Sequence, residues 1–258
     1  MNLHPGLHEY DLDIENHTIH FQCDYKSDSK EFILFIHGLA WAGDSYRNLF
    51  DSDYFPNATL LVPDLVGFGK SSKSDEFSYK MEDQALLLEK LLNEFSFQEL
   101  HIVAHSMGNA IALLFSAEVM SKVRSFANLE GNLISEDCGF LSRGIIEVSY
   151  QEYKNKNFRA HLYQFARHPQ LRFNQTTANA VYKSSESLVQ WSDSRKLLLR
   201  YKNLSCKKCY FWGEENADMS VLKELQGEDT IMIPKSGHGM MTDNPLAFYT
   251  ALSDFISI

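Results

Sequence analysis

Ser106 stands in Ala104-His105-Ser106-Met107-Gly108, between the apolar run Leu100-His101-Ile102-Val103 and a helical pattern from Asn109 to Met120. A strand that turns sharply into a helix around Ser-x-Gly exposes a serine hydroxyl that can attack an acyl carbon. A serine between small residues also commonly caps a helix, so the motif needs partners. A hydroxyl is a poor nucleophile until a base takes its proton, and histidine is the usual base. His238 lies in Ser236-Gly237-His238-Gly239, after the last apolar strand and before the final helix. A developing oxyanion needs backbone donors. Met107 follows the serine, and Leu39 lies in His37-Gly38-Leu39-Ala40, the loop after an apolar strand; their N–H groups are the expected pair. His37 reads as a loop-shaping residue. A carboxylate must orient the base. Glu130 closes a buried strand in Leu129-Glu130-Gly131-Asn132, where an unpaired charge is costly. Asp218 is the second candidate.

Two motifs imitate other chemistry. Asp64-Leu65-Val66-Gly67-Phe68-Gly69-Lys70-Ser71 ends like a phosphate-binding loop, but that pattern needs glycine at position 64. An aspartate there repels phosphate, so a tight turn is expected instead. Cys206-Lys207-Lys208-Cys209 is a lone C-x-x-C without two further ligands, and no metal site is assigned to it. It enters a buried strand and reads as packing.

The elements that carry these residues alternate. Glu9 to Ile14 and His17 to Phe21 suggest a hairpin joined by Glu15-Asn16. Phe32 to Ile36, Thr59 to Val62, Leu100 to Val103, Ser125 to Leu129, Tyr210 to Trp212 and Thr230 to Ile233 read as buried strands. Met81, Ala85, Leu88 and Leu92 recur at helical spacing, with Ser78 as the expected N-cap. Asn244 and Pro245 open a final helix whose apolar face is Phe248, Tyr249, Leu252, Phe255 and Ile256. Such alternation predicts an α/β fold, a mostly parallel central sheet flanked by helices.

The alternation breaks from 133 to 203. Helical patterns run over Gly144 to Tyr153, Phe158 to Ala166, Ala178 to Ser184 and Ser187 to Tyr201. Aromatic residues are dense there, among them Phe140, Tyr150, Tyr153, Phe158, Phe173, Tyr182 and Trp191. The segment is expected to be a helical cap insertion over a core of 1–132 and 204–258. Most of its rings should pack its own core, with the rest free to line a ligand cavity.

The 258 residues suffice for one large domain. A formal charge of −10 argues against nucleic acid or an anionic membrane as partner. No run approaches the ~20 apolar residues of a membrane span. Met1 to Asp13 has no apolar core of a secretory leader, and the four cysteines are unevenly spaced. A reduced, cytoplasmic setting is therefore expected. Oligomeric state is left open.

Ile36-His37-Gly38, Pro63-Asp64-Leu65 with Gly67 and Gly69, Ala104 to Gly108, and Ser236-Gly237-His238 together resemble the α/β-hydrolase family, of the capped esterase and lipase-like kind. The resemblance covers nearly everything outside about 133 to 203. It implies serine-based hydrolysis without a cofactor, and the order serine, acid, histidine agrees with it. Ala104 stands where the family usually has glycine. The family most often carries its acid after the seventh strand as Gly-x-x-Asp. Here that stretch is Gly213-Glu214-Glu215-Asn216, so Asn216 occupies the usual position of the aspartate. Some members carry the acid at the end of the sixth strand, where Glu130 lies. Glu130 is preferred over Asp218, with Glu214 and Glu215 as further candidates.

The expected activity is hydrolysis of a small or medium, apolar carboxylic ester through an acyl-enzyme. The partner is then a small-molecule acyl substrate. Serine argues against the dehalogenase and epoxide hydrolase chemistries of the fold, which use aspartate. Lactone, thioester, carbon–carbon and cofactor-free peroxidase chemistries fit the same fold. A slow-turnover ligand sensor or an interaction protein are alternatives of another class.

Overall fold

The computed structural model describes residues 3–139, 141–168 and 170–257. Phe140 lies outside the described residues. β1 (Gly6–Ile14) and β2 (His17–Tyr25) pair antiparallel. Glu15 and Asn16 between them have φ of 48° and 66°, as a two-residue hairpin turn requires. β3 (Glu31–Ile36), β4 (Thr59–Pro63), β5 (Glu99–His105), β6 (Val123–Leu129), β7 (Lys207–Gly213) and β8 (Thr230–Ile233) follow. The sheet has eight strands in the order β1-β2-β4-β3-β5-β6-β7-β8. β2 joins β4 antiparallel, and every pairing from β4 to β8 is parallel. The α/β expectation is met, with one correction: β8, expected to be buried, is the outermost strand, and only its Ile233 is buried while Thr230 and Met232 are exposed.

Both faces of the sheet are covered. Phe32, Leu34 and Ile36 enter one apolar core, and Ile33 and Phe35 enter the other. That is why β3 reads as an unbroken apolar run rather than an alternating one. Burying each such side chain contributes about 1.5–3 kcal/mol. α1 (Met81–Leu92) adds Leu87, Leu88, Leu91 and Leu92 to the first core. Its N-cap is Lys80, not Ser78. The Ser78 hydroxyl instead accepts the Lys80 N–H at 3.1 Å and donates to Asp83, so it braces the approach to the helix.

The helical pattern from Asn109 to Met120 is broken in two. α2 spans Met107–Ala112 and α3 spans Ala117–Met120. Ser116 restarts the helix by accepting the Val119 N–H, a capping role that the apolar periodicity conceals.

Between β6 and β7 the chain is helical. α4 (Ser142–Ile146) and α5 (Tyr150–Glu152) replace the single helix expected over Gly144 to Tyr153. Ser149 caps α5 through the Glu152 N–H. α6 (Phe158–Gln164) leads to a 3₁₀ turn. α7 (Ala178–Asp193) runs straight through the serines where two helices were expected to part. Ser185 stays inside the helix because its hydroxyl donates to the Val181 carbonyl at 2.7 Å. The break falls at Arg195, whose φ is 56°, before α8 (Lys196–Lys202).

α9 (Val221–Glu224), α10 (Met240–Asp243) and α11 (Pro245–Ile256) complete the chain. α11 is capped by Asn244, and all five residues of its expected apolar face are buried. Among the described residues no helix is long and apolar enough to cross a membrane.

Candidate active site

Ser106 joins β5 to α2 with φ 50° and ψ −119°, a conformation that costs a non-glycine residue about 1–3 kcal/mol. Its N–H donates to the Leu129 carbonyl at 3.1 Å, which ties the turn to the end of β6. Gly108 is required by close approach. A Cβ there would lie 2.6 Å from the Ile36 oxygen and 2.8 Å from that of His37. Gly38 is constrained from the other side, since a Cβ on it would meet the His105 ring at 2.9 Å. Ala104 is fully buried opposite Ile36, so a methyl fits where the resemblance expects glycine.

The loop after β3 lies against this turn. His37 is buried, its Nε2 accepts the Leu65 N–H at 3.0 Å, and its Nδ1 donates to the Gly38 carbonyl at 2.8 Å. Burial holds its pKa below the usual histidine value, although Asp64, the Gly38 carbonyl and Asp44 oppose the shift. Both ring nitrogens are committed, so His37 shapes the loop. Leu39 lines the cavity above Ser106. Met107 opens α2, where a first-turn N–H has no intrahelical acceptor.

The turn at Asp64 is not a phosphate cradle. Its carboxylate accepts the Gly43 N–H at 2.6 Å and the Lys70 N–H at 2.7 Å. Ser71 donates to the Asp64 carbonyl. The aspartate occupies the place of an anion.

Glu130 has φ 42° at the end of β6, and its residue is 3% exposed. Its Oε2 lies 2.8 Å from His238 Nδ1, a contact between residues 108 apart in sequence. Its Oε1 accepts the Gly213 N–H at 2.7 Å, and the Asn216 amide donates to both oxygens at 3.0 and 2.9 Å. Burial pushes the Glu130 carboxyl up, but the His238, Asn216 and Gly213 hydrogen bonds outweigh it and hold the pKa below the ordinary value. Asp218 and Glu215 are exposed and line the cavity. Glu214 accepts the Lys235 N–H. Of the four carboxylates considered, the structure pairs Glu130 with His238.

Ser106, Glu130, His238 and Leu39 line one cavity of about 460 Å³. Leu141, Leu171, Leu188 and Met219 supply apolar wall. The aromatic residues between β6 and β7 do not line it among the described residues; Trp41, from the loop after β3, does. The rings pack on one another instead, as in Phe165 stacked on Phe173 at 5.1 Å and Tyr150 against Tyr182 at 5.4 Å. Glu136, Asp137, Glu215 and Asp218 also face the cavity, with no lysine or arginine among the described lining residues.

Three residues here carry structure that the motifs do not show. His105 is fully buried and its Nε2 donates to the His238 carbonyl at 2.9 Å, so the residue before the serine holds the loop of the histidine. Burial and the neighbouring His238 push its pKa well below the usual value and keep it neutral. Asn216 stands at the family's usual acid position and donates to the Glu130 carboxylate. Asp137 accepts the Leu133 and Ile134 N–H groups at 2.8 and 2.9 Å, and burial pushes its carboxyl up to about 6. Only Asn216 had a sequence signal, its place after β7.

A family model described as the alpha/beta hydrolase fold matches residues 31–245. Lipase 3 of Moraxella sp. (strain TA144) is 29% identical over 116 residues, 45% of this chain and 34% of that protein. A haloalkane dehalogenase of Bradyrhizobium diazoefficiens is 31% identical over 98 residues, 38% of this chain and 31% of that protein. The match thus spans about a third of the length of these curated relatives. The N-acyl homoserine lactonase AidH, in complex with N-butanoyl homoserine, superimposes with a TM-score of 0.76 at 15% identity, covering 96% of each chain.

Proposed function

The chain belongs to the alpha/beta hydrolase fold family, and from that footing we propose that it is a serine hydrolase that cleaves a small carboxylic ester through an acyl-enzyme. In this reading Ser106 Oγ attacks the ester carbonyl. His238 takes the hydroxyl proton on Nε2, because Nδ1 is directed at Glu130. The Leu39 and Met107 N–H groups receive the oxyanion. His238 returns its proton to the leaving alcohol, and water then releases the acyl group by the same route. The observation that carries the reading is the 2.8 Å contact of Glu130 with His238 at the wall of a cavity that Ser106 shares.

The segment 133–203 acts as a cap in this reading, since Leu141, Ser142, Leu171 and Leu188 wall the cavity. A cavity of about 460 Å³ suits a ligand of small or medium size. Its leucines favour an apolar acyl chain, and its surplus of carboxylates favours a neutral or cationic ester over an anionic one. A reducing, cytoplasmic setting belongs to the same reading, supported by four free thiols.

Hydrolysis of p-nitrophenyl acetate and butyrate, with Ser106→Ala as control, tests it. Release that depends on Ser106 is expected. Absence of such release over a panel of esters and lactones contradicts the enzyme reading.

A further inference from the structure

Glu31 opens β3, Glu99 opens β5 directly opposite it in the parallel register, and His101 follows two residues along β5. Period-two alternation therefore puts all three side chains on one face of the sheet. Their donor atoms lie within 4.8 Å of one another. Like charges directly opposed on neighbouring strands destabilise a sheet unless something neutralises them. Arg124 reaches Glu99 at 3.1 Å, and Lys207 sends its ammonium to the Phe255 carbonyl at 2.6 Å.

His101 is the informative member. Its side chain is 6% exposed, and Nδ1 is engaged with Ser125 Oγ at 2.7 Å. Nε2 is buried without a hydrogen-bond partner. It faces Glu31 Oε2 at 3.5 Å, beyond the usual N–H···O range of about 2.7–3.2 Å. Two ligands held about 2.0–2.1 Å from one tetrahedral ion stand roughly 3.4 Å apart. The spacing fits a shared ion better than a direct hydrogen bond. Ser125 supplies the outer contact that fixes a metal-binding imidazole.

We propose that Glu31, Glu99 and His101 bind a divalent transition-metal ion, Zn²⁺ by donor chemistry, with water completing the coordination. The site ties the central strands β3 and β5 together at their N-terminal ends, away from Ser106, with His101 roughly 16 Å from Ser106 along β5 at about 3.3 Å per residue. It is a structural clip, separate from the acyl-transfer site.

The test is calorimetric titration of EDTA-stripped protein with Zn²⁺, supported by the visible spectrum of the Co²⁺ form. One equivalent per chain is expected, with a tetrahedral Co²⁺ spectrum and a melting temperature that rises with Zn²⁺. Glu31→Gln and Glu99→Gln, both half-buried at strand starts, should each weaken binding at least about tenfold. His101→Gln should abolish it, and the two glutamate variants keep the test decisive if that buried change unfolds the chain. Absence of stoichiometric binding overturns the proposal. So does binding that survives both glutamate variants, which assigns the ion to another group such as the His4 and His8 pair.

Discussion

The Asn216 side-chain amide lies 3.0 and 2.9 Å from the two carboxylate oxygens of Glu130. The residue at the family's usual place for the acid thus donates to a carboxylate at the end of the neighbouring strand β6. A second carboxylate at 216 would set two like charges against each other in a buried site. Asn216→Asp should therefore lower kcat/KM about tenfold or more and raise the acidic limb of its pH profile. Asn216→Ala, which removes only the hydrogen bonds, should cost less. Steady-state kinetics over pH for both variants separates these outcomes.

The two candidate acids make opposite predictions. Glu130→Gln leaves the geometry near His238 but removes the charge that stabilises its cation, so kcat should fall by on the order of 10³–10⁴. Asp218→Asn should stay within a few-fold of the native rate, because Asp218 is exposed at the cavity. Parallel measurement of kcat decides between them, and the reverse ranking assigns the role to Asp218.

Stability should depend on pH through Glu130 and Asp137 in opposite senses. The Glu130 carboxyl is held below its ordinary value. Its contribution is therefore present above the unfolded pKa of about 4.3 and is lost as pH falls through the lower folded value. The Asp137 carboxyl is raised to about 6, chiefly by burial. It takes up a proton on folding, so its ionisation costs stability above about pH 6 and less as pH falls toward 4. Asp137→Asn should raise the melting temperature by a few degrees at pH 8 and by less at pH 5. Thermal unfolding at both values checks the sign.

The charge of the cavity predicts substrate preference. Choline acetate, its uncharged 3,3-dimethylbutyl counterpart and an analogue ending in carboxylate differ mainly in charge. The cationic ester should exceed the anionic one at least about tenfold in kcat/KM at low salt, with the gap narrowing as salt screens the field. Equal rates for all three would remove charge as a determinant.

The strands were legible because Phe32 to Ile36 and its counterparts are apolar on both faces, a pattern that packing on two sides requires. Ser106 and Glu130 stood out because each follows such a strand directly, and His238 because it lies in the loop after β8, at the same C-terminal end of the parallel strands. The helix boundaries were less so. Ser116 starts a new helix by capping it, whereas Ser185 stays within one by bonding to its own turn, and composition does not distinguish them. The choice of Glu130 over Asp218 depends on how the turn after β7 folds back, which brings Asn216 and the Gly213 N–H onto Glu130. Most aromatic residues of 133–203 were expected to pack on one another, as Phe165 and Phe173 do; the remainder, left free to line a cavity, do not line it among the described residues, where leucines and carboxylates stand instead.

Covalent trapping tests the central claim most directly. The intact protein is treated with a fluorophosphonate, weighed by mass spectrometry and mapped by peptide. The account predicts a single adduct on Ser106, absent in Ser106→Ala and formed far more slowly in His238→Ala. An adduct on another residue, or ester turnover that persists in Ser106→Ala without any adduct, would contradict it.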